Sequence, residues 1–422
     1  MAIGLSLSAA ARAQTLDVWD DYTFAEQSEV MQQLNANFAE AHSGVTVNRT
    51  QRTFDDLALT LKLAVSAGDG PVVTKVNQGV GDMGTMVKEG LLIPVDPYIE
   101  KYGWGERQSD SVLARDRWSS DGEFGVGDTY GISSLAEMVG LYYNEKILKD
   151  AGVELPIKSF EEFKAALDKV KEAGGAPFMI GTSKQHMALH MLAAVSQAHI
   201  DAADRKSLDD LVYGQGGDWN TPGNLESAKL VQDWATGGYF FPGYQGISGD
   251  DAVQLFIAGQ GAFLISGTWY LADMQNNPDI HFMPIPAPEG VKAPLTVGGV
   301  DLAWAITSLA KEQDMKDLAG EYINYIVSDE AALIWAKAGY LPAVSIPDDA
   351  DIEVSPILKE ALAMWKDLNR KNALGHYPDW ASPTMLKTFD DNTPFLLSGD
   401  ETPDALVEAL DKDYQAYMDS KK

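Results

Sequence analysis

The fold is decided by residues 16–76, which read LDVWDDYTFAEQSEVMQQLNANFAEAHSGVTVNRTQRTFDDLALTLKLAVSAGDGPVVTKV. Short apolar, β-branched runs alternate there with longer stretches whose apolar side chains recur at helical spacing. The pattern predicts strands at Leu16–Trp19, Val45–Thr50 and Val72–Val76, and helices near Ser28–Ala41 and Asp55–Ala67. This alternation of strands and helices predicts an α/β fold with a parallel sheet and crossover helices.

One loop follows each of the three predicted strands. These loops are Asp20–Gln27, Arg52–Asp55 and Asn77–Asp82. In open α/β sheets, ligands bind outside the carboxyl ends of the strands. The three loops are therefore the first place to expect a binding site.

A second α/β region begins near Gly131 and continues to the end of the chain. In chain order, its predicted elements are the strand Val139–Asn144, the helices Phe160–Glu172 and Leu225–Trp234, the strands Gly261–Ser266, Phe282–Ile285 and Leu302–Ile306, and a mostly helical pattern from Lys316 onward. Glycine and proline cluster at residues 122–131, 284–288 and 339–342. We expect the chain to cross between two lobes more than once.

Length and charge limit the function classes. A chain of 422 residues is too long for one hydrophobic core, which also favours two lobes. Lysine and arginine total 32 against 62 aspartates and glutamates, a formal net charge of −30. Such a field repels phosphate backbones and anionic lipid surfaces, so we expect no nucleic-acid partner. The simplest interpretation of the charge is solubility.

The first residues indicate export. The apolar stretch Ala2–Ala11 runs into Ala11-Arg12-Ala13, which fits the small-x-small rule for cleavage before Gln14. Residues 1–13 are therefore interpreted as a signal-peptide remnant, although no basic residue precedes the apolar stretch. The chain has no cysteine, which excludes disulfides and thiolate metal sites. Beyond this leader no apolar run approaches the roughly 20 residues that span a bilayer. We expect a periplasmic protein.

Five short strings stand in a specific order along the chain. They are Tyr130-Gly131-Ile132, Gly140–Lys146, Phe256–Phe263 with Gly267-Thr268-Trp269, Gly298-Gly299, and Gly339–Ala343. Together they resemble the extracellular solute-binding proteins of carbohydrate ABC transporters, the group that includes maltodextrin-binding proteins. The resemblance covers nearly the whole mature chain. Where this family commonly shows Pro-Asp-Val before the third strand, the chain has Pro71-Val72-Val73, so the substrate stays open.

The resemblance implies a two-lobed periplasmic-binding-protein fold. Each lobe would be a mainly parallel sheet flanked by helices, and crossing segments would hinge the lobes around a cleft. We place the N-terminal lobe at residues 14–128 plus 285–328 and the C-terminal lobe at residues 129–284 plus 329–422. The implied function is capture of a mono- or oligosaccharide and its delivery to ABC transporter permease subunits in the inner membrane, by a monomer without catalysis, cofactor or metal.

Sugars present hydroxyl groups at the ring edge and C–H groups on the faces, so a sugar site combines aromatic side chains with fixed polar groups. The resemblance assigns sugar stacking to Trp269 and places Tyr340 in a family ligand loop; a core role is the alternative for Trp269. The complete set of candidate ligand-binding residues is Tyr22, Gln27, Arg52, Thr53, Asn77, Gln78, Glu137, His186, Trp269, Gly299, Asp301 and Tyr340.

Several of these residues have a structural alternative. Thr53 with Asp56 also fits a helix N-cap. Arg52 could pair with a neighbouring aspartate instead of a ligand. His186 and His190 are four residues apart on a predicted helix, a spacing that could hold one metal ion, but no third ligand is evident. We expect His186 to face the cleft and His190 to pack or face solvent.

Other function classes have weaker signals. Gly79–Gly84 spells the G-x-G-x-x-G of dinucleotide sites, with Glu100 downstream, but it lies in the third strand–helix unit, not the first. An exported carbohydrate-active enzyme would need two cooperating carboxylates, and 62 acidic residues make accidental pairs inevitable. A metal-binding transport protein is the remaining alternative. Arg52 and Lys184 leave an acidic sugar possible as the ligand.

Overall fold

The computed structural model describes residues 14–184, 186–344, 346 and 352–422, so the expected signal-peptide remnant at residues 1–13 lies outside the described residues. The strands are β1 (Gln14–Asp20), β2 (Val45–Gln51), β3 (Val73–Val76), β4 (Leu92–Ile93), β5 (Arg117–Trp118), β6 (Asp128–Thr129), β7 (Val139–Asn144), β8 (Phe263–Gly267), β9 (Ile280–Met283) and β10 (Ala303–Thr307).

Helices make up most of the remaining structure. The α-helices are α1 (Ala25–Ala41), α2 (Phe54–Ala67), α3 (Thr85–Lys88), α4 (Asp96–Tyr102), α5 (Trp104–Arg107), α6 (Asp110–Leu113), α7 (Glu145–Asp150), α8 (Phe160–Glu172), α9 (Met187–Ala198), α10 (Lys206–Val212), α11 (Pro222–Thr236), α12 (Gly249–Ile257), α13 (Leu271–Met274), α14 (Gln313–Ile326), α15 (Asp329–Lys337), α16 (Pro356–Lys371), α17 (Met385–Ser398) and α18 (Pro403–Ser420). Short helical turns lie at Val80–Gly84, Ala114–Asp116, Ala202–Asp204, Tyr244–Gly246, Thr268–Tyr270 and Pro378–Ala381. Within the described part of the chain, no helix has both the length and the apolar character to cross a membrane.

The first lobe is built on a five-stranded sheet with strand order β2-β1-β3-β10-β4. Strand β1 pairs in parallel with both β2 and β3, as the alternating pattern predicted. Strand β10 returns antiparallel between β3 and β4. The loops that follow β1, β2 and β3 therefore open at one edge of the sheet, together with the residues that lead into β10.

The second lobe contains a three-stranded sheet with strand order β8-β7-β9. The central strand β7 runs antiparallel to both neighbours. The first lobe thus contains the mainly parallel sheet that was expected. The three strands of the second-lobe sheet are antiparallel instead. Strands buried on both faces read as continuous apolar runs, and such runs do not report strand direction.

Helix α2 begins at an N-cap that is visible in the sequence. The Thr53 hydroxyl accepts a hydrogen bond from the Asp56 backbone N–H at 3.2 Å, which caps the helix. The helix ends at Gly68, which has a φ of 85°. The N-cap predicted as an alternative for Thr53 is confirmed, and it fixes where α2 begins beside the end of β2.

Backbone pairs join the two lobes through crossing segments. The antiparallel pairs are Ile132 with Trp304, Leu135 with Pro342, and Met138 with Gly298. Three separate stretches of chain therefore meet side by side, as a hinge requires. The lobe boundaries at residues 128/129, 284/285 and 328/329 stay predictions. In each of the three stretches, the observed pairs lie on the C-terminal side of the predicted boundary.

The glycine run Gly79–Gly84 is explained by close packing. A β-carbon on Gly79 would lie 2.9 Å from the Trp380 backbone, and one on Gly84 would lie 2.5 Å from the Trp118 ring. The Trp118 side chain is fully buried and has no room to move away. The glycines thus allow a helical turn to lie against two tryptophans, a role that needs no nucleotide.

We predict that Gly84→Ala destabilises the fold by about 1–3 kcal/mol, because the added methyl group overpacks a rigid core. The matched control is Gly105→Ala, where nothing lies within 4 Å of the added β-carbon. Denaturant unfolding of both variants should show a change for the control of no more than about 0.5 kcal/mol. Equal stability of the two variants would show that the glycine run is not a packing device.

Candidate functional site

A cavity of about 260 Å³ lies between the two lobes. The first lobe contributes the loops after β1, β2 and β3 and the residues before β10. The second lobe contributes α9, the turn after β8 and the turn Pro378–Ala381. The cavity thus opens at the carboxyl ends of the parallel strands, where the sequence predicted a site.

A larger cavity, of about 500 Å³, lies inside the second lobe among α9, α10, α11 and α18. Its wall is mainly apolar, and none of the predicted ligand-binding residues lines it. The interlobe cavity is lined by six carboxyl groups and by side chains from both lobes, and we therefore take it as the candidate site.

The interlobe cavity brings together nine of the twelve predicted ligand-binding residues. They are Tyr22, Gln27, Thr53, Asn77, Gln78, Glu137, His186, Trp269 and Asp301. Their positions span the chain from the first predicted loop to the segment before β10. Local patterns in distant parts of the sequence therefore pointed to one place in the fold.

The other three predicted residues lie away from the cavity wall. The Arg52 guanidinium stacks over the Trp19 ring at 3.8 Å, and not on an aspartate as the alternative proposed. The Gly299 backbone N–H donates to the Glu137 carbonyl at 2.6 Å, so this glycine belongs to one of the crossing segments. Tyr340 is buried against Trp335, at 5.4 Å between ring centroids, which is a core position.

Aromatic rings form much of the cavity wall. Trp269 lies in the turn after β8, with its ring centroid 5.2 Å from that of His190. Phe24 of the first lobe approaches Tyr270 of the second lobe at 5.6 Å. Rings from both lobes thus face the same space and offer flat apolar surfaces to a ligand.

Sequence reasoning missed several wall residues. The most important are Tyr377 and Trp380, whose rings lie 5.4 Å apart in the turn between α16 and α17. The signal that could have identified them is the string His376–Trp380, an aromatic cluster around a proline. Phe24 lies in the predicted loop Asp20–Gln27, but it was not among the candidate ligand-binding residues.

A buried ion cluster lies beneath the first-lobe side of the cavity. The Lys75 ammonium, on β3, is 2.7 Å from Asp21 Oδ1 and 2.6 Å from Asp301 Oδ2. The Tyr22 hydroxyl donates a hydrogen bond to Asp301 and lies 3.0 Å from the Ser134 hydroxyl. Burial opposes a charge on Lys75, but the two carboxylates outweigh it and raise the lysine pKa. Lys75 is therefore a charged structural group, already satisfied by protein partners.

Glu137 differs from the carboxylates of this cluster. Burial, together with the nearby charge of Asp301, raises the pKa of Glu137 well above its ordinary range. Among the described residues, none forms a hydrogen bond with its carboxyl group, which lines the cavity. The raised pKa favours the protonated form of Glu137, which can donate one hydrogen bond to a ligand and accept others.

His186 connects the two lobes at the cavity. Its Nδ1 lies 2.9 Å from Asp390 on α17, and its Nε2 lies 3.6 Å from Asp55 on α2. Burial would lower the pKa of His186, but the two carboxylates raise it to about 10. The imidazolium therefore forms an ion pair with a residue of each lobe, which stabilises the arrangement of the lobes seen here.

His190 has the opposite charge state. Burial, with the charge of His186, lowers the pKa of His190 to about 3, so its ring is neutral. Within the described ranges, no group of three histidine, aspartate or glutamate side chains is placed to hold a metal ion. The two histidines thus serve different purposes, one as an ion-pair bridge and the other as part of the cavity wall beside Trp269.

We predict that the His186 bridge makes stability depend on pH. Because its folded-state pKa is raised from 6.5 to about 10, its contribution is complete below pH 6.5 and is lost as the pH rises to about 10. The difference in free energy of unfolding between the wild type and His186→Gln should therefore shrink over this range. His199→Gln is the control, and a difference that stays constant with pH would contradict the bridge.

Comparisons with known proteins agree with this geometry. A family model described as bacterial extracellular solute-binding protein matches residues 23–333. A putative binding protein of Brucella abortus is 24% identical over 248 residues, covering 57% of this chain and 55% of that protein. The matched region thus spans about half the length of that relative.

Two further relatives extend the comparison. Maltodextrin-binding protein MdxE of Bacillus subtilis is 24% identical over 315 residues, covering 72% of this chain and 67% of that protein. The solved structure of a chitin oligosaccharide binding protein superposes with a TM-score of 0.80 at 19% identity, covering 96% of this chain and 99% of that one. At this identity, the structural likeness establishes the two-lobed fold.

Proposed function

The chain belongs to the family of bacterial extracellular solute-binding proteins, and we propose that it captures a carbohydrate between its two lobes and delivers it to an ABC transporter. The observation that carries this proposal is the composition of the interlobe cavity. Aromatic rings and fixed polar groups, contributed by both lobes, line one cavity. A sugar needs both, because its ring faces are apolar and its edge carries hydroxyl groups.

The names of the relatives support a carbohydrate ligand. One binds maltodextrin and another binds chitin oligosaccharide, according to their descriptions. The cavity of about 260 Å³ is slightly smaller than the roughly 300–1,000 Å³ of pockets for drug-sized ligands. We infer a ligand of one or two sugar rings, held with the lobes in the arrangement seen here.

Each wall residue has a proposed role in sugar binding. Trp269 and Trp380 provide flat faces for the ring, while Asn77, Gln78 and Glu137 bind hydroxyl groups at its edge. The Asn77 side chain is fixed for this purpose, because its amide nitrogen donates to Asp82 and its oxygen accepts from the Trp380 indole at 2.9 Å. A preorganised amide loses little entropy when the ligand arrives.

Closure would couple binding to transport. In the open form, a sugar binds one lobe, and the other lobe then rotates about the hinge. Contacts made only in the closed form stabilise it, and the permease subunits in the inner membrane would recognise that form. We propose that the protein works as a monomer in the periplasm, performs no chemistry on the sugar, and has no nucleic-acid partner.

The direct test is thermal unfolding of the full chain against mono- and oligosaccharides, polyols and divalent metals. A ligand that binds only the folded state stabilises it by about 2.7 kcal/mol at a hundredfold excess over Kd. One related set of sugars should raise the melting temperature by a few degrees and be recovered intact. Sugar cleavage would support the exported carbohydrate-active enzyme instead, and a shift with zinc alone would support a metal-binding transport protein.

We also predict that Trp269→Ala weakens sugar binding by about 30-fold, roughly 2 kcal/mol, because the ring loses its stacking surface. Trp365→Ala is the matched control, since Trp365 is a half-buried tryptophan on α16 that is not part of the cavity wall. Isothermal titration calorimetry gives both affinities. Equal affinity of the two variants would remove Trp269 from the ligand site.

A further inference from the structure

The charge of the cavity wall is strongly one-sided. Six carboxyl groups line it, and among the described residues the His186 imidazolium is the only positive group on the wall. The six are Asp21, Asp55, Glu137, Asp250, Asp301 and Asp379. A sugar carrying its own carboxylate or phosphate would therefore enter a space lined by an excess of acidic groups.

The nearby cations are already neutralised by protein partners. Lys75 lies below the wall, and its ammonium is within 2.7 Å of both Asp21 and Asp301. His186 pairs with a carboxylate of each lobe. His190 is uncharged, because burial lowers its pKa. Lys75 and His186 are thus engaged by carboxylates of the protein, and His190 carries no charge.

The basic residues that left an acidic sugar possible are elsewhere. The guanidinium of Arg52 stacks on Trp19, and Arg52 is not part of the cavity wall. Lys184 is exposed and is also absent from the wall. Among the described residues, the structure thus gives the acidic-sugar alternative no cation on the cavity wall other than the His186 imidazolium, which two carboxylates already engage.

Two groups indicate what the ligand must offer. The Tyr377 side chain is about 9% exposed, and its hydroxyl has no hydrogen-bond partner among the described residues. The Glu137 carboxyl group is equally without a hydrogen-bond partner there. Buried polar groups rarely remain unpaired, so the Tyr377 hydroxyl awaits a ligand group, and the Glu137 carboxyl group on the same wall can pair with one too. Hydroxyl groups can pair with both, whereas a carboxylate would also face the acidic side chains of Asp301 and Asp379.

We propose that this cavity selects sugars without an acidic substituent, accepting neutral and amino sugars and rejecting uronic acids and sugar phosphates. This inference rests on the proposed function, because it concerns the ligand class of the same site. A protonated amino group adds attraction to the surrounding carboxylates. An amino sugar should therefore bind at least as tightly as its neutral parent, and a uronic acid at least 100-fold more weakly.

The test is calorimetric titration of the full chain with matched sets of sugars. Each set contains a parent, its 2-amino form and its uronic acid: glucose, glucosamine and glucuronate; galactose, galactosamine and galacturonate; and the β-1,4 disaccharides cellobiose, chitosan dimer and cellobiouronic acid. Glucose 6-phosphate is the phosphate probe. Binding of a parent or amino sugar with rejection of the matching uronic acid supports the proposal. A uronic acid or sugar phosphate that binds within tenfold of its parent overturns it while leaving the proposed function intact.

A charge-neutralising variant separates electrostatic from steric rejection. In Asp379→Asn the shape of the side chain is kept, so the affinity ratio of parent to uronic acid should fall several-fold. Asp128→Asn is the control, because Asp128 is exposed and is not part of the wall, and its ratio should equal that of the wild type. An unchanged ratio in Asp379→Asn would overturn the electrostatic basis. Absence of binding by every sugar in every class would reject the proposed function itself.

Discussion

The structure depends on one buried ion cluster, in which Lys75 is held between Asp21 and Asp301. Lys75 lies on the central part of the first sheet, while its partners follow β1 and precede β10. A buried charge that loses a partner typically destabilises a protein by about 3–5 kcal/mol, so the cluster fixes these strand ends strongly. Through Tyr22 and Ser134, it also ties the floor of the cavity to the crossing segments of the hinge.

The ion cluster also holds polar side chains of the cavity wall in fixed positions. The same carboxylates that neutralise Lys75 present their remaining surface to the cavity, and the caps and backbone pairs around them keep each group in place. The second lobe supplies the opposite part of the wall, with Trp269, Tyr377 and the His186 bridge. One lobe thus provides hydrogen-bonding groups held by the ion cluster, and the other provides aromatic rings and an ion pair to the first lobe.

Much of this could be predicted from the sequence where the signal is local. The parallel unit of β1, β2 and β3 follows from hydrophobic periodicity, and the loops after these strands do form the cavity. The ion cluster could not be predicted, because Lys75 sits within an apolar strand and its partner Asp301 is 226 residues away. The antiparallel direction of β7 and the position of Trp380 on the cavity wall could not be predicted either, because both depend on tertiary packing.

The measurement that tests the account most directly is the distance between the lobes with and without sugar. The chain has no cysteine, so spin labels can be placed on Leu59→Cys of α2 and Phe395→Cys of α17, both exposed positions on opposite lobes. Pulsed electron paramagnetic resonance should then show a broad or long distance without ligand that becomes shorter and narrower at saturation. A distance that stays the same while calorimetry shows full binding would contradict closure around the ligand.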